Sequence, residues 1–288
     1  MTTIPESELQ QLAALMAEPL TSIPATTCGI DSVALAEAVR LFRDTVFEGY
    51  FGSGSATVRL RRLYDTIVSQ TACALRLAPG GQTPEEIEQQ ARHTADRLLA
   101  ELPRLRRMLA TDVQALFDGD PAATGFEEVI LCYPALNALT HYRLAHALHR
   151  LGVPLLPRII TEQAHSATGI DIHPNASIGE YFSIDHGTGV VIGQTCIIGR
   201  HVRLYQGVTL GAKSFKFDAD GHPLDEPRHP IIEDHVVVYS NASILGRIRI
   251  GHHSVIGGNI WQTSDVPPYS RVIQGRATVS TFEDGSGI

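Results

Sequence analysis

The sequence is short of several things at once: in 288 residues it has one tryptophan, two lysines and four cysteines. Cys28, Cys73, Cys132 and Cys196 are scattered, with no C-x-x-C pair, which excludes the spacing of a zinc knuckle or a disulfide scaffold. Free thiols of this kind fit a reducing compartment, so a cytoplasmic location is expected. Met1 to Leu20 carries Glu6, Glu8 and Glu18 without a single Lys or Arg, and so lacks the basic start of a secretory signal. No stretch reaches the roughly eighteen apolar residues that a spanning helix needs. Excess positive charge is missing too: 23 Lys+Arg face 31 Asp+Glu, a net charge of −8 that supplies no field for nucleic acid or an anionic membrane.

What is present divides in two. With 43% hydrophobic residues the chain can bury a sizeable core. The first half carries helical patterns. Asp31 can cap a helix over 32–50, in which Val33, Leu35, Ala36, Val39, Phe42 and Val46 fall mostly at three- and four-residue steps. A second helix is expected from about Val58 to Leu77, stopped by Pro79-Gly80-Gly81. Thr83, Pro84 and Glu86 form a capping box that opens a third, expected to end or kink near Pro103. A short helix before Asp120-Pro121 and another over 134–151, closed by Gly152, complete the set.

From Asp171 the period becomes six. Ile172, Ile178, Ile184, Val190, Cys196, Val202 and Val208 occupy every sixth position, and after an interruption Ile232, Val238, Ile244, Ile250 and Ile256 do the same. Neither an α-helix nor a flat strand has this period. A coil whose turns are three faces of about six residues does, because each apolar residue then points inward and stacks on its equivalents above and below. Gly179, Gly193, Gly199, Gly211, Gly246, Gly251 and Gly257 lie beside the inward positions, where sharp corners are expected to demand positive φ. The fold class is therefore α+β, an α-helical N-terminal domain (1–165) followed by a parallel β-helix (166–275) and a flexible tail (276–288).

The repeat is interrupted between Lys213 and Arg228, in a Gly-, Pro- and Asp-rich stretch that reads as an extended loop. Both lysines lie in it, placed to meet phosphate. Around it lie three imidazole clusters: Asp171 with His173, Asp185 with His186, and Arg228 with His229. Histidine suits a proton acceptor at neutral pH, a neighbouring carboxylate supports its imidazolium, and arginine can clamp a carboxylate. Taken alone, each pair is a common surface feature.

The run DIHPNASIGEYFSIDHGTGVVIGQTCIIG, then YQGVTLGAK and RHPIIEDHVVV, resembles the hexapeptide-repeat serine acetyltransferases of cysteine biosynthesis. The likeness extends to DVQALFDGDPA and YPALNALTHYRLAHAL upstream, and so covers about 110–265. It implies a left-handed β-helix that transfers acetyl from acetyl-CoA to L-serine, without a metal. It also implies His186 as general base with Asp171 as its orienting partner. Arg228 and His229 would hold the serine carboxylate, Asp185 and Asp120 its ammonium group. Acetyl-CoA would lie against Gly211, Ala212, Lys213, Ala242 and Gly258. A homotrimer or dimer of trimers, with the site between subunits, follows from the same resemblance. So do feedback inhibition by L-cysteine and docking of a tail ending at Ile288 into O-acetylserine sulfhydrylase. The sequence departs from the family in its long 213–228 loop and in GGNIWQTSDVPPYS, which touches the CoA contacts more than the chemistry. Competing readings are a hexapeptide acetyltransferase acting on homoserine or a sugar, a β-helix zinc enzyme of the γ-carbonic-anhydrase kind, and a non-catalytic scaffold for the sulfhydrylase.

Overall fold

The computed structural model describes residues 4–16, 29–52, 54–222 and 224–275. The tail ending at Ile288 therefore lies outside the described residues. Among those described, seven helices precede fourteen short strands. The helices are α1 (Glu6–Met16), α2 (Ser32–Val46), α3 (Ala56–Leu77), α4 (Pro84–Gly119), α5 (Phe126–Cys132), α6 (Pro134–Arg150) and α7 (Leu156–Thr168). None is long and apolar enough to cross a membrane.

Local chemistry sets the starts of α2 and α4. The Asp31 carboxylate accepts the N–H groups of Val33 and Ala34 at the start of α2, and Thr83 and Glu86 close a reciprocal capping box on α4. Pro103 does not end α4, which runs for 36 residues from Pro84 to Gly119 and absorbs the short helix expected before Asp120. An interior proline costs a helix about 3 kcal/mol. Here Leu98, Leu102, Leu105 and Leu109 around it are all buried in the main core, and that burial outweighs the local penalty.

The coil has about five turns. Face A stacks β1 (Asp171–Ile172), β4 (Val191–Ile192), β7 (Thr209–Gly211), β10 (Ser243–Leu245) and β13 (Trp261–Gln262). Face B stacks β2 (Ser177–Ile178), β5 (Ile197–Ile198), β8 (Ile231–Ile232) and β11 (Arg249–Ile250). Face C stacks β3 (Ser183–Asp185), β6 (Arg203–Tyr205), β9 (Val237–Val238), β12 (Val255–Ile256) and β14 (Arg271–Val272). All pairing is parallel, and the result is a left-handed β-helix. All twelve period-six residues are at most 5% exposed.

Their ladder nevertheless has a step in it. Ile172 pairs with Ile192, Ile178 with Ile198 and Ile184 with Leu204. The strand position after Ile184 is thus Ile192, eight residues on, whereas Leu204 to Leu210 and Val238 to Ile244 take six. Two extra residues sit in the corner that contains His186. Val190, Cys196, Val202 and Val208 are inward corner residues of the second turn rather than its strand residues, and period six passes over the change because both sets are buried.

The corner glycines also differ from expectation. Of the seven singled out, only Gly246 has a positive φ. Gly179, Gly199 and Gly251 are needed for space: a Cβ there would lie 2.5, 2.2 and 2.4 Å from atoms of the next turn. Left-handed backbone falls instead on Tyr181, His201, His235, His253 and Tyr269, at φ 56–58°, one per turn along the corner between faces B and C. Their rings stack in a continuous column with centroids 4.4–5.0 Å apart.

The helical half is pinned to the first coil turn. Arg143 forks onto Asp112, both buried, and also donates to the carbonyls of Ile178 and Gly179. Tyr142 donates to Ala176 O at 2.5 Å, and Phe182 N–H donates to Asp112.

Candidate active site

Where the end of α4 meets the lengthened corner between faces C and A there is a cleft of about 460 Å³, lined by Asp120, Tyr133, Asp185, His186 and Arg203 among others. Asp120 caps α4 in an extended conformation, as a residue preceding proline must. Its Oδ1 accepts the Ala122 N–H at 2.8 Å and its Oδ2 accepts the Tyr133 hydroxyl at 2.5 Å. The Tyr133 hydroxyl, and then the Ala122 N–H, hold this carboxyl below its usual range, while the carboxylate pushes the Tyr133 phenol up and keeps it a donor. His186 stands at φ 55°, followed by Gly187 at φ 91° and Gly189 at φ 78°. A Cβ at Gly187 would strike Ile170 at 2.5 Å, so only glycine turns the chain there. The imidazole is 74% exposed, with Nε2 3.7 Å from Asp185 Oδ1.

Arg228 and His229 close the long loop at a different corner, between faces A and B, beside β8. His229 is buried, with Nδ1 accepting both the N–H (3.2 Å) and the hydroxyl (2.9 Å) of Thr195. Burial, with Arg228 and Arg247 adding repulsion, pushes its pKa down to about 4. The ring is therefore neutral near pH 7, with its proton on Nε2. Arg228 donates to Gln194 Oε1 at 2.6 Å, and its buried Nε–H has no hydrogen-bond partner among the described residues. Gly193 makes this packing possible: a Cβ there would sit 2.0 Å from His229 Cδ2. His173, on the same corner, is likewise pushed down to about 4 by burial first.

Asp120, Asp185 and His186 thus share one cleft. Arg228 and His229 lie across face A, a span of six residues or roughly 15–20 Å. Asp171 is on face A, its carboxylate 3.9 Å from Arg158; among the described residues no hydrogen bond or ion pair joins it to His186, whose near carboxylate is Asp185. Gly211, Ala212 and Lys213 follow one another from the end of β7 into the long loop. Gly258 lies on the corner between faces C and A, half-buried. Ala242 is fully buried, and both its N–H and its carbonyl are bonded within the coil, which leaves it no polar group for a ligand.

Among the described residues, two groups bring carboxylates and an imidazole close enough for a cation, Glu162–His165–Asp171 and Asp218–Asp220–His222. In the first, the Arg158 guanidinium already lies 2.5 Å from Glu162. The second is exposed at the tip of the long loop. His201, His235 and His253 on successive turns meet face to face as a stack.

Sequence reasoning missed Tyr133 and Arg203 in the cleft, and Gln194 and Thr195 under Arg228 and His229. The last two were within reach, because Ile197 pairs with Ile231 and the same offset places Thr195 under His229.

No protein-family model matches the chain. It is 52% identical over 207 residues to the plasmid serine acetyltransferase of Synechococcus elongatus, a match spanning 72% of this chain and 65% of that one. It is 44% identical over 175 residues to serine acetyltransferase of Bacillus subtilis, over 60% of this chain and 77% of the relative. Among solved structures it superposes on Entamoeba histolytica serine acetyltransferase 1 in complex with L-cysteine with a TM-score of 0.74 and 33% identity, covering 93% of this chain and 97% of that one. The structure of the Neisseria gonorrhoeae serine acetyltransferase in complex with serine matches with a TM-score of 0.56 and 25% identity, over 84% of this chain and 97% of the other. With these matches added to the coil and its clustered imidazoles, the chain belongs to the serine acetyltransferase family.

Proposed function

We propose that the chain transfers acetyl from acetyl-CoA to the hydroxyl of L-serine by direct attack in a ternary complex, with His186 as general base. The observation that carries this reading is the cleft that gathers Asp120, Asp185 and His186. Two carboxylates beside an imidazole suit a zwitterionic hydroxy amino acid better than a neutral sugar. The gonococcal relative's complex with serine supports the same acceptor.

In this reading the serine hydroxyl gives its proton to His186 as its oxygen attacks the thioester carbonyl. The C–S bond then breaks, and the imidazolium returns the proton to the CoA sulfur. Asp185, 3.7 Å away, and Asp171, one strand along and engaged with Arg158, are the carboxylates available to steady that imidazolium. Arg228, with its unpartnered Nε–H, and His229, with a proton on Nε2, present donors to the serine carboxylate. Because they lie on another corner of the same prism, the complete site needs a neighbouring subunit, which supports a trimer. In the same assembly acetyl-CoA lies between Gly211, Ala212 and Lys213, at the corner between faces A and B, and Gly258, at the corner between faces C and A, supplying the acetyl group.

L-Cysteine inhibits by occupying the serine site, in keeping with the complexes of two Entamoeba relatives with cysteine. The tail ending at Ile288 binds the sulfhydrylase; deleting Gly287-Ile288 should abolish that association and spare acetyl transfer. Cys73, Cys132 and Cys196 are not joined in disulfides, which suits the cytoplasm.

The test is to mix the purified chain with acetyl-CoA and L-serine, L-homoserine or sugars and follow free CoA thiol. His186→Ala, with trimers intact, should lower kcat by roughly 10²–10⁴. Near-normal turnover in that variant would overturn the assignment.

A further inference from the structure

Asp120 is the cap that follows the last residue of α4, and such a position is prone to fray. Two side chains from other parts of the fold hold it. Tyr133 ends α5 and caps α6, and Pro134 behind it fixes its backbone at φ −78°, ψ 120°. From that post its hydroxyl donates to Asp120 Oδ2 at 2.5 Å. Arg203, on β6 of the second coil turn, reaches back and donates from NH1 to Gly119 O at 3.0 Å. Its guanidinium lies so close to the chain that a Cβ at Gly119 would be 2.4 Å from NH2. The helix end is thus tied to the coil one residue before Asp120, while the carboxylate is aimed by a hydroxyl. With Oδ1 on the Ala122 N–H, both oxygens of this cleft-lining residue are oriented, each with a lone pair to spare.

We propose that Tyr133 and Arg203 are positioning residues that fix the Asp120 carboxylate for the acceptor's ammonium group, and so contribute to the choice of an amino acid as acceptor. The proposal rests on the reading of Asp120 as the ammonium site. Neither residue touches the reacting atoms; both act through Asp120. Their loss should therefore weaken serine binding and leave the chemical step and the CoA site alone.

The experiment measures steady-state kinetics of the full chain for Tyr133→Phe, Arg203→Lys, Asp120→Asn and the Tyr133→Phe/Asp120→Asn double variant, with thermal unfolding as a control. Tyr133→Phe should raise the serine KM roughly tenfold, the effect of one lost charge-assisted hydrogen bond. The acetyl-CoA KM should stay at its wild-type value, and the chain should remain folded at the assay temperature. Arg203→Lys should move the serine KM in the same direction, and the double variant should be no worse than Asp120→Asn alone. If Asp120→Asn raises the serine KM while Tyr133→Phe and Arg203→Lys leave it unchanged, the positioning role is wrong and the Asp120 reading survives. If Asp120→Asn has no effect, the ammonium site itself is misplaced, and the positioning role falls with it.

Discussion

A single methyl group at position 193 should dismantle the corner that holds Arg228 and His229. In Gly193→Ala the new Cβ would lie 2.0 Å from Cδ2 and 2.2 Å from Nε2 of His229. Ordinary carbon contacts are about 3.5–4 Å, so the ring must move by roughly 1.5 Å. The backbone on either side cannot absorb this, because Gly193 N–H donates to Leu210 O and Ile197 N–H to Pro230 O within the coil ladder. The imidazole is therefore expelled, and it loses the two hydrogen bonds that Thr195 donates to Nδ1. At about 0.5–1.5 kcal/mol each, these sum to about 1–3 kcal/mol. If His229 binds the serine carboxylate, kcat/KM for serine should fall roughly 5- to 150-fold. CoA-thiol release against serine concentration reads this directly, with the acetyl-CoA KM as internal control. Adding Gly193→Ala to His229→Ala should cost nothing further, since the clash has gone with the ring. Wild-type serine kinetics in the single variant would refute the argument, because the glycine would then be shielding nothing.

Three other outcomes follow from the same structure. Asp112→Ala leaves Arg143 buried without its carboxylate and should destabilise the chain by about 3–5 kcal/mol in urea unfolding; a change under 1 kcal/mol would deny the pair its role in tying helices to coil. The pKa values of His229 and His173 are depressed to about 4 in the folded chain, so below about pH 6.5 the unfolded chain binds more protons than the folded one. Stability should therefore be fully present above pH 6.5 and decline as the pH falls towards 4, which a series of thermal midpoints would show; a flat profile between pH 7 and 5 would contradict the burial of these rings. The Cys196 thiol is buried, donates to Leu210 O and is pushed up to about 12 by burial, so it is no nucleophile. Cys196→Ala should keep kcat within about twofold, and a hundredfold loss would point to an acyl-enzyme.

The coil was legible in the sequence because its cause is one-dimensional: an inward apolar residue must recur each time the chain turns a corner. The α2 and α4 starts were legible for a similar reason, since Asp31 and Thr83 act on N–H groups two or three residues away. Pro103 misled because its effect is local while the leucines that override it act through tertiary packing. The corner glycines misled in a related way: the demand at Gly179, Gly199 and Gly251 comes from the adjacent turn, which no local pattern contains. In the site, His186 and Asp185 could be found as neighbours in sequence. Tyr133 and Arg203 could not, because Tyr133 meets Asp120 across 13 residues and Arg203 meets Gly119 across the helix–coil boundary.

The two lengthened corners have a broader consequence. Leu210 to Ile232 spans twenty-two residues, and Ile184 to Ile192 eight, where six would carry the chain from one inward strand position to the next, yet pairing resumes in register after each. A triangular prism of this kind tolerates inserts at its vertices because the stacked faces alone set the rise and angle. Reactive groups can be carried outward on such inserts without repacking the interior, so new catalytic behaviour on this scaffold can evolve by changes in vertex length, with the core left untouched.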